Sequence, residues 1–189
     1  MPRNNTIFEW GFKTKAENLS IQYREELGIS KFKPLSAYTL AQHLDIPIFT
    51  VEEAFEGNRS HPAYSIMNDP AKFNALWMPN EDGERIIIHN SNHSLYRQQS
   101  NLMHELAHII LDHVIPEEIG RVCMLYNLHY YNKKQEAEAK FLGACLQLTK
   151  PSILWVKKNN WSQEQISEYY TASNEMVRFR CNSIGNYRN

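Results

Sequence analysis

Apolar residues recur every three or four positions through most of the chain, which is the spacing of amphipathic helices. This spacing predicts six helices, over residues 14–27, 37–44, 96–112, 133–148, 163–170 and 173–182. Gly28 is expected to end the first helix, and Lys150-Pro151 the fourth. Residues 52–56 are predicted to form only a helical turn and residues 61–70 a loop.

Three shorter apolar runs, over residues 46–51, 73–78 and 85–89, are typical of strands. Pro47 places the first strand near a sheet edge, because proline has no N–H to donate. Residues 79–83 contain the turn formers proline, asparagine, aspartate and glycine, which predicts a hairpin from the other two strands. Helices, then a small antiparallel sheet, then helices again indicate an α+β fold.

The length of 189 residues suits one domain with a substantial core and is short for two. We therefore predict a single domain over residues 1–189. Within it, residues 1–60 hold the N-terminal helices and first strand, residues 70–150 the core that carries the chemistry below, and residues 151–189 a C-terminal helical segment.

The charges nearly cancel, at 20 basic and 21 acidic residues, so no overall field favours nucleic acid or an anionic membrane. The three cysteines, Cys123, Cys145 and Cys181, share no CxxC spacing, which argues against disulfides and fits a reducing compartment. No leader-like start and no run of about 18 apolar residues is found in the sequence. We predict a cytoplasmic protein with no membrane association.

The last two predicted helices have the spacing of a helix-turn-helix unit. DNA binding would require basic side chains that reach phosphates. The segment supplies few of them, and they are matched by Glu164, Glu168 and Glu175. We therefore expect no direct binding to nucleic acid.

The sequence His104-Glu105-Leu106-Ala107-His108 combines two imidazoles and a carboxylate within five residues. Residues four apart on a helix differ by about 40° in direction, so both histidines project from one face. This spacing suits tetrahedral Zn²⁺, with bonds of about 2.0–2.1 Å. Glu105 lies about 100° round the helix, where it can accept a proton from an attacking water. The arrangement is the HExxH motif of zinc peptidases.

A pair of core histidines is the competing interpretation of this motif. The surrounding residues are strongly apolar, however, and buried polar groups are costly when they lack partners. A metal ion supplies such a partner for both imidazoles. We therefore interpret the motif as a catalytic metal site.

A catalytic zinc keeps three protein ligands and leaves one position for water. His113 is nine residues from His104, about 180° round a continuous helix, so we expect it at the surface or in the last helical turn. The better source of a third ligand is the helix over residues 133–148, which offers Glu136 and Glu138.

The helical projection does not choose between these two carboxylates. Glu138 lies in an arc of apolar residues, whereas Glu136 shares a face with Ala139 and Gly143. Such small residues would let this helix approach the HExxH helix closely.

The chain resembles the ImmA/IrrE family of metallo-endopeptidases over nearly its full length. The resemblance rests on residues 12–27, residues 40–47, Arg97, the HExxH motif and residues 136–148. When the small-residue positions are aligned, the ligand glutamate of the family falls on Glu136. If the closing proline of the family is matched to Pro151, it falls on Glu138. The resemblance favours Glu136, because the small-residue positions then agree as well.

The sequence also departs from the family at three positions. Thr149 stands where a helix-closing proline is usual, and Ala107 where glycine is frequent. Lys140 stands where asparagine or aspartate is common, one turn from Glu136, with which it could pair. None of these departures removes a metal ligand or the general base.

The resemblance implies a gluzincin-like, cytoplasmic endopeptidase with one Zn²⁺ per chain. His104, His108 and Glu136 would hold the metal, and Glu105 would act as the catalytic base. Members of the family typically cut a helix-turn-helix repressor of a mobile element, a stress response or a toxin–antitoxin pair. The alternative function is a non-proteolytic, metal-binding partner of a regulator or toxin.

Two further features have predicted roles. Tyr126, Tyr130 and Arg97 are candidate donors to the oxyanion that forms during peptide hydrolysis. An exposed strand of the hairpin, residues 75–78 or 86–88, could pair with the main chain of a substrate peptide.

Overall fold

A computed structural model of the chain describes residues 7–80, 82–114 and 132–185. These residues form nine α-helices and one three-stranded sheet, which confirms the predicted mixture of helices and strands. In chain order the elements are α1 (Phe12–Glu26), α2 (Ala37–His43), β1 (Ile48–Thr50), α3 (Val51–Ala54), α4 (Pro62–Met67), β2 (Ala75–Pro79), β3 (Arg85–His89), α5 (Leu95–Ile110), α6 (Lys133–Gln147), α7 (Lys150–Lys158), α8 (Gln163–Tyr170) and α9 (Asn174–Ser183).

The strands lie in the order β1-β3-β2, with β3 in the centre. β2 and β3 form the predicted antiparallel hairpin, in which Trp77 lies opposite Ile87. β1 runs parallel to β3, with Phe49 opposite Ile88, so the prediction of a purely antiparallel sheet is wrong. A parallel neighbour needs a long connection, and the chain passes through α3, α4 and β2 before it forms β3.

Two helices have a proline in their first turn and are missing from the sequence prediction. Pro62 lies in the first turn of α4, within the segment predicted as a loop, and Pro151 lies in the first turn of α7. Proline is favourable there, because the N–H groups of a first helical turn have no partner inside the helix. The side chains of His61 and Thr149 cap these two helices.

Helices α5 and α6 form the most extensive contact between elements of the described residues. Leu102, Met103 and Leu106 of α5 are fully buried in the main apolar core. A Cβ atom on Gly143 of α6 would lie 2.9 Å from the Met103 carbonyl oxygen and 3.2 Å from Cα of His104. The backbones therefore meet at glycine, and the predicted close approach of the two helices is confirmed.

Helices α7, α8 and α9 enclose a second apolar cluster. Its buried members are Ala144, Leu148, Ile153, Val156, Ile166, Tyr170, Ala172, Met176, Val177 and Cys181. Hydrogen bonds connect this segment to the two central helices: Ser100 Oγ of α5 accepts from the Ser173 N–H at 2.9 Å, and Gln147 Nε2 of α6 donates to the Thr171 carbonyl oxygen at 2.8 Å. Ser100 Oγ also donates to Gln147 Oε1 at 3.0 Å. Within the described ranges, no helix has the length and hydrophobicity needed to cross a bilayer.

Candidate metal centre

The HExxH segment lies in the last two turns of α5, and its two histidines meet on one face. The rings of His104 and His108 are 4.8 Å apart between centroids, and their Nε2 atoms are 3.2 Å apart. The interval of four residues produces this proximity, because side chains four apart lie one above the other on a helix.

The carboxylate of Glu136 reaches the same point from α6. Its Oε2 lies 3.3 Å from His104 Nε2, and its Oε1 lies 3.3 Å from His108 Nε2. Glu136 is in the first turn of α6. Asn132 fixes the start of that helix, because its side chain accepts hydrogen bonds from the N–H groups of Lys134 and Gln135.

The spacing of these three side chains fits a tetrahedral metal ion. Bonds of about 2.0–2.1 Å to tetrahedral zinc place the ligand atoms about 3.3–3.4 Å from one another. The Nε2 atoms of His104 and His108 are 3.2 Å apart, and each lies 3.3 Å from one oxygen of the Glu136 carboxylate. With one ligand atom taken from each residue, the three atoms lie within 4.8 Å of one another. Two nitrogens and one oxygen are also a donor set that zinc accepts. Among the described residues, these three side chains form the group that could hold a metal.

Hydrogen bonds within this group determine its charge. Burial alone would raise the pKa of the Glu136 carboxyl, but hydrogen bonds from His104 and His108 outweigh it and lower the pKa below the ordinary value. For His104, burial would lower the pKa, but the hydrogen bond to Glu136 and the charge of Glu105 raise it. The carboxylate is therefore stabilised in its ionised form.

Glu105 lies beside this group and faces strand β2. Its Oε2 accepts a hydrogen bond of 3.1 Å from the backbone N–H of Trp77. Burial raises the pKa of the Glu105 carboxyl, and the neighbouring His104 and His108 oppose this rise only in part. A carboxyl group with a raised pKa holds a transferred proton more readily than an ordinary glutamate does, which suits a general base.

The sequence predicts that His113 lies at the surface or in the last turn of the helix. In the structure His113 is buried and lies beyond the end of α5. α5 ends at Ile110, and Asp112 adopts a left-handed conformation with φ of 53°. This turn directs His113 back towards the helix, where its N–H donates to the His108 carbonyl oxygen at 3.0 Å. The prediction is wrong because it assumed a continuous helix, whereas the chain turns in a Schellman-like cap.

The buried ring of His113 extends the polar group beyond His108. Its Nδ1 lies 2.9 Å from His108 Nδ1, and its Nε2 lies 3.3 Å from Glu138 Oε2. Burial and the neighbouring His108 lower the pKa of His113 to about 4, so the ring is neutral near pH 7. The two candidate third ligands thus occupy different positions: Glu136 contacts both motif histidines, and Glu138 contacts His113.

The remaining candidates have separate outcomes. Arg97 donates from its guanidinium to Asn74 Oδ1 at 2.8 Å, just before β2, and its role at an oxyanion stays a prediction. Tyr126 and Tyr130 lie outside the described residues. Lys140, which from its spacing could pair with Glu136, has its Nζ atom 3.4 Å from Glu175 Oε1.

Two other histidines, at the end of β3 and in the loop that follows it, are buried. His89 Nε2 lies 3.2 Å from the Tyr38 hydroxyl, and His93 Nε2 lies 3.1 Å from the Phe73 carbonyl oxygen. Their partners lie 51 and 20 positions away in sequence, so the local pattern does not contain these contacts.

The sheet order separates the two segments that could pair with a peptide. β3 contains residues 86–88 and has β1 and β2 on either side, so its backbone is already paired. β2 is an edge strand of the described sheet. Because the Trp77 N–H reaches Glu105, the outer edge of β2 faces the candidate metal centre.

Comparison with known proteins adds an independent finding. The family model for Peptidase_M78, described as an IrrE N-terminal-like domain, matches residues 65–182. No curated protein matches the chain.

Proposed function

Because the chain belongs to the ImmA/IrrE family of metallopeptidases, Peptidase_M78, we propose that it is a zinc-dependent endopeptidase of the HExxH type with a gluzincin-like core. The observation that carries this proposal is the convergence of two imidazole nitrogens and one carboxylate: the Nε2 atoms of His104 and His108 are 3.2 Å apart, and each lies 3.3 Å from an oxygen of Glu136. Zinc bound there would polarise the scissile carbonyl and lower the pKa of a water molecule.

Glu105 would carry the proton in this reaction. Its carboxylate accepts a proton from the attacking water and passes it to the leaving amine nitrogen, so that the C–N bond breaks without a free amide anion. The hydrogen bond of 3.1 Å from the Trp77 N–H holds the carboxylate beside the cluster. This contact orients Glu105 without occupying both of its oxygens.

Strand β2 would bind the substrate. The Trp77 N–H already binds Glu105, so a peptide would pair with the part of the outer edge of β2 that lies beyond Trp77, and would run from there towards Glu105. Main-chain pairing recognises an extended peptide of almost any sequence, so selectivity would come from the whole folded partner. This geometry supports an endopeptidase, because neither end of the peptide is required at the site.

We further propose that the substrate is a helix-turn-helix repressor of a mobile element, a stress response or a toxin–antitoxin pair. The support is the family itself, whose members typically cut such proteins. We also propose that the protein acts in the cytoplasm, because its buried cysteines, Cys145 and Cys181, are both free thiols.

The Glu105→Gln variant tests the proposed chemistry. Candidate helix-turn-helix proteins are incubated with zinc-loaded wild type or variant, and new N-termini are identified by mass spectrometry. We expect the rate of cleavage to fall about 10²–10⁴-fold, with zinc binding retained because Glu105 lies outside the ligand group. Glu175→Gln, at an exposed position, is the matched control and should cleave like the wild type.

The same variant separates proteolysis from a binding role. If Glu105→Gln still produces the biological effect of the wild type, the chain acts as a metal-binding partner of a regulator or toxin. Fragments formed equally fast by the variant and the wild type would contradict the role of Glu105.

A further inference from the structure

A line of polar atoms leads away from the candidate metal centre through His108. The Nε2 atom of this ring belongs to the cluster with His104 and Glu136, and its Nδ1 atom lies 2.9 Å from Nδ1 of His113. On its other side, the His113 ring has Nε2 at 3.3 Å from Glu138 Oε2. The three side chains therefore form one continuous hydrogen-bonded chain.

The direction of these hydrogen bonds follows from the chemistry of the rings. A histidine that binds a metal through Nε2 must carry its proton on Nδ1. His108 is then the donor, and Nδ1 of His113 is the acceptor. Because Nδ1 of His113 accepts this hydrogen bond, the proton of the His113 ring lies on Nε2, which donates to the Glu138 carboxylate.

The surroundings restrict these side chains to this arrangement. Only 7% of the His113 side chain and 12% of the Glu138 side chain is exposed. Both groups come from elements that also provide the ligand group, since Glu138 is two residues beyond Glu136 on α6 and His113 follows α5. A shift of either side chain would leave a buried polar atom without its partner, which is costly.

Helix capping does not account for the His113 side chain. The backbone N–H of His113 makes the capping bond to the His108 carbonyl oxygen at 3.0 Å, and any residue could supply it. The imidazole adds only the contacts to His108 and Glu138. Its chemistry is therefore directed at the ligand ring rather than at the helix end.

We infer that His113 and Glu138 are positioning residues that fix the orientation and the protonated nitrogen of His108, and so raise the affinity of the site for zinc. This inference rests on the proposed function, because it takes His104, His108 and Glu136 as the zinc ligands. Partners of this kind typically change metal affinity by about 10–100-fold.

The test measures zinc affinity by competition with a chromophoric chelator, and needs no substrate. Glu138→Gln keeps the shape of the side chain and removes its charge, and His113→Phe keeps a ring and removes both nitrogens. Each variant should bind zinc about 10–100-fold more weakly than the wild type. The double variant should be no weaker than His113→Phe alone, because Glu138 acts through His113.

Asp112→Asn is the matched control. It removes a carboxylate next to His113 at an exposed position, and asparagine tolerates the left-handed conformation there. Its zinc affinity should equal that of the wild type. The absorption spectrum of the Co²⁺-loaded protein gives a second measurement, and should change in Glu138→Gln and His113→Phe but not in Asp112→Asn.

The outcomes separate this inference from the proposed function. Zinc affinity in Glu138→Gln within twofold of the wild type overturns the inference and leaves the zinc site intact, as does an equal loss in Asp112→Asn. A wild type that binds no zinc overturns the proposed function, and the inference with it. If His113→Phe fails to fold, Glu138→Gln alone decides the matter, since it conserves volume.

Discussion

The contact between α5 and α6 and the contacts among α7, α8 and α9 are packed in different ways. Where α5 crosses α6, the backbones approach at Gly143 and polar side chains meet beside them. In the C-terminal segment, α7, α8 and α9 surround aliphatic and aromatic side chains. The first contact depends on the relative position of a few atoms, and the second on the amount of apolar surface that it buries. A change of similar size should therefore affect metal binding in one region and only stability in the other.

The largest effect on stability is expected in the C-terminal segment. Ile153 is fully buried in its apolar cluster, and Ile153→Ala should lower the free energy of unfolding by about 2–5 kcal/mol. Denaturant titration measures this loss. The zinc affinity of the folded variant should remain that of the wild type, because Ile153 does not position α5 against α6. A loss of zinc affinity alongside the loss of stability would show that packing in the C-terminal segment also positions α5 against α6.

Gly143→Ala should have a smaller effect on stability and a large effect on metal binding. Alanine normally stabilises a helix relative to glycine by about 1 kcal/mol. Here the added Cβ would lie 2.9 Å from the Met103 carbonyl oxygen, so we expect a loss of about 1–3 kcal/mol from overpacking. The helices must separate next to His104, which weakens zinc binding in a competition titration.

Ala144→Gly is the matched control for that variant. Ala144 is the next residue of α6 and is buried in the C-terminal cluster instead. Glycine there should cost about 1 kcal/mol of helix stability without a change in zinc affinity. Equal affinities of Gly143→Ala and the wild type would contradict the role assigned to the close approach.

The free energy of unfolding should depend on pH near neutrality through residues outside the C-terminal segment, because the described part of that segment contains no histidine. His89 of β3 is the clearest case. Burial lowers the pKa of His89, so the unfolded chain binds a proton at this site more readily than the folded protein does. The contribution of His89 to the free energy of unfolding is therefore complete above pH 6.5 and is lost as the pH falls below it.

The His89→Gln variant isolates this contribution in the metal-free protein. The wild type should lose up to about 1.4 kcal/mol per pH unit more than the variant between the unfolded and folded pKa values. Other groups cancel in the difference, including His104 and Glu105, whose raised pKa values act in the opposite sense. Parallel stability curves for the two proteins would contradict the neutral, buried state of His89.

The most local effect is expected where the two regions join. Ser100 Oγ links Gln147 of α6 to the N–H of Ser173, ahead of α9. Ser100→Ala removes both bonds and should cost about 1–3 kcal/mol, near the lower end if water replaces the hydroxyl. Hydrogen exchange should become faster in α9 and stay unchanged at the HExxH turns of α5. Faster exchange at both places would show that the joint also supports the metal centre.

Local pattern was sufficient to predict much of this fold. Helical periodicity gave α5, α6, α8 and α9 within about two residues, since their apolar faces are long and regular. The hairpin followed from turn residues between two apolar runs. In contrast, the parallel pairing of β1 with β3 depends on residues almost 40 positions apart in sequence, such as Ile48 and Ile87, and no local pattern specifies it.

The site shows the same division between local and long-range information. The pairing of His104 with His108 depends only on helix geometry and could be predicted. The position of Glu136 relative to Glu138 depends on how α6 lies on α5, which periodicity does not resolve. His113 could not be placed, because a single left-handed residue, Asp112, reverses the chain after α5.

The central claim is that His104, His108 and Glu136 hold zinc, and the most direct measurement is the number of zinc ions bound per chain at equilibrium. Wild type, Glu136→Ala and Glu138→Ala are dialysed against zinc well above about 100 times the dissociation constant of the wild type, so that the weaker binding expected of Glu138→Ala still fills its site. The metal is counted by plasma mass spectrometry. We expect about one zinc in the wild type and in Glu138→Ala, and none at this site in Glu136→Ala. Zinc retained by Glu136→Ala but lost from Glu138→Ala, or no zinc in the wild type, would contradict the account.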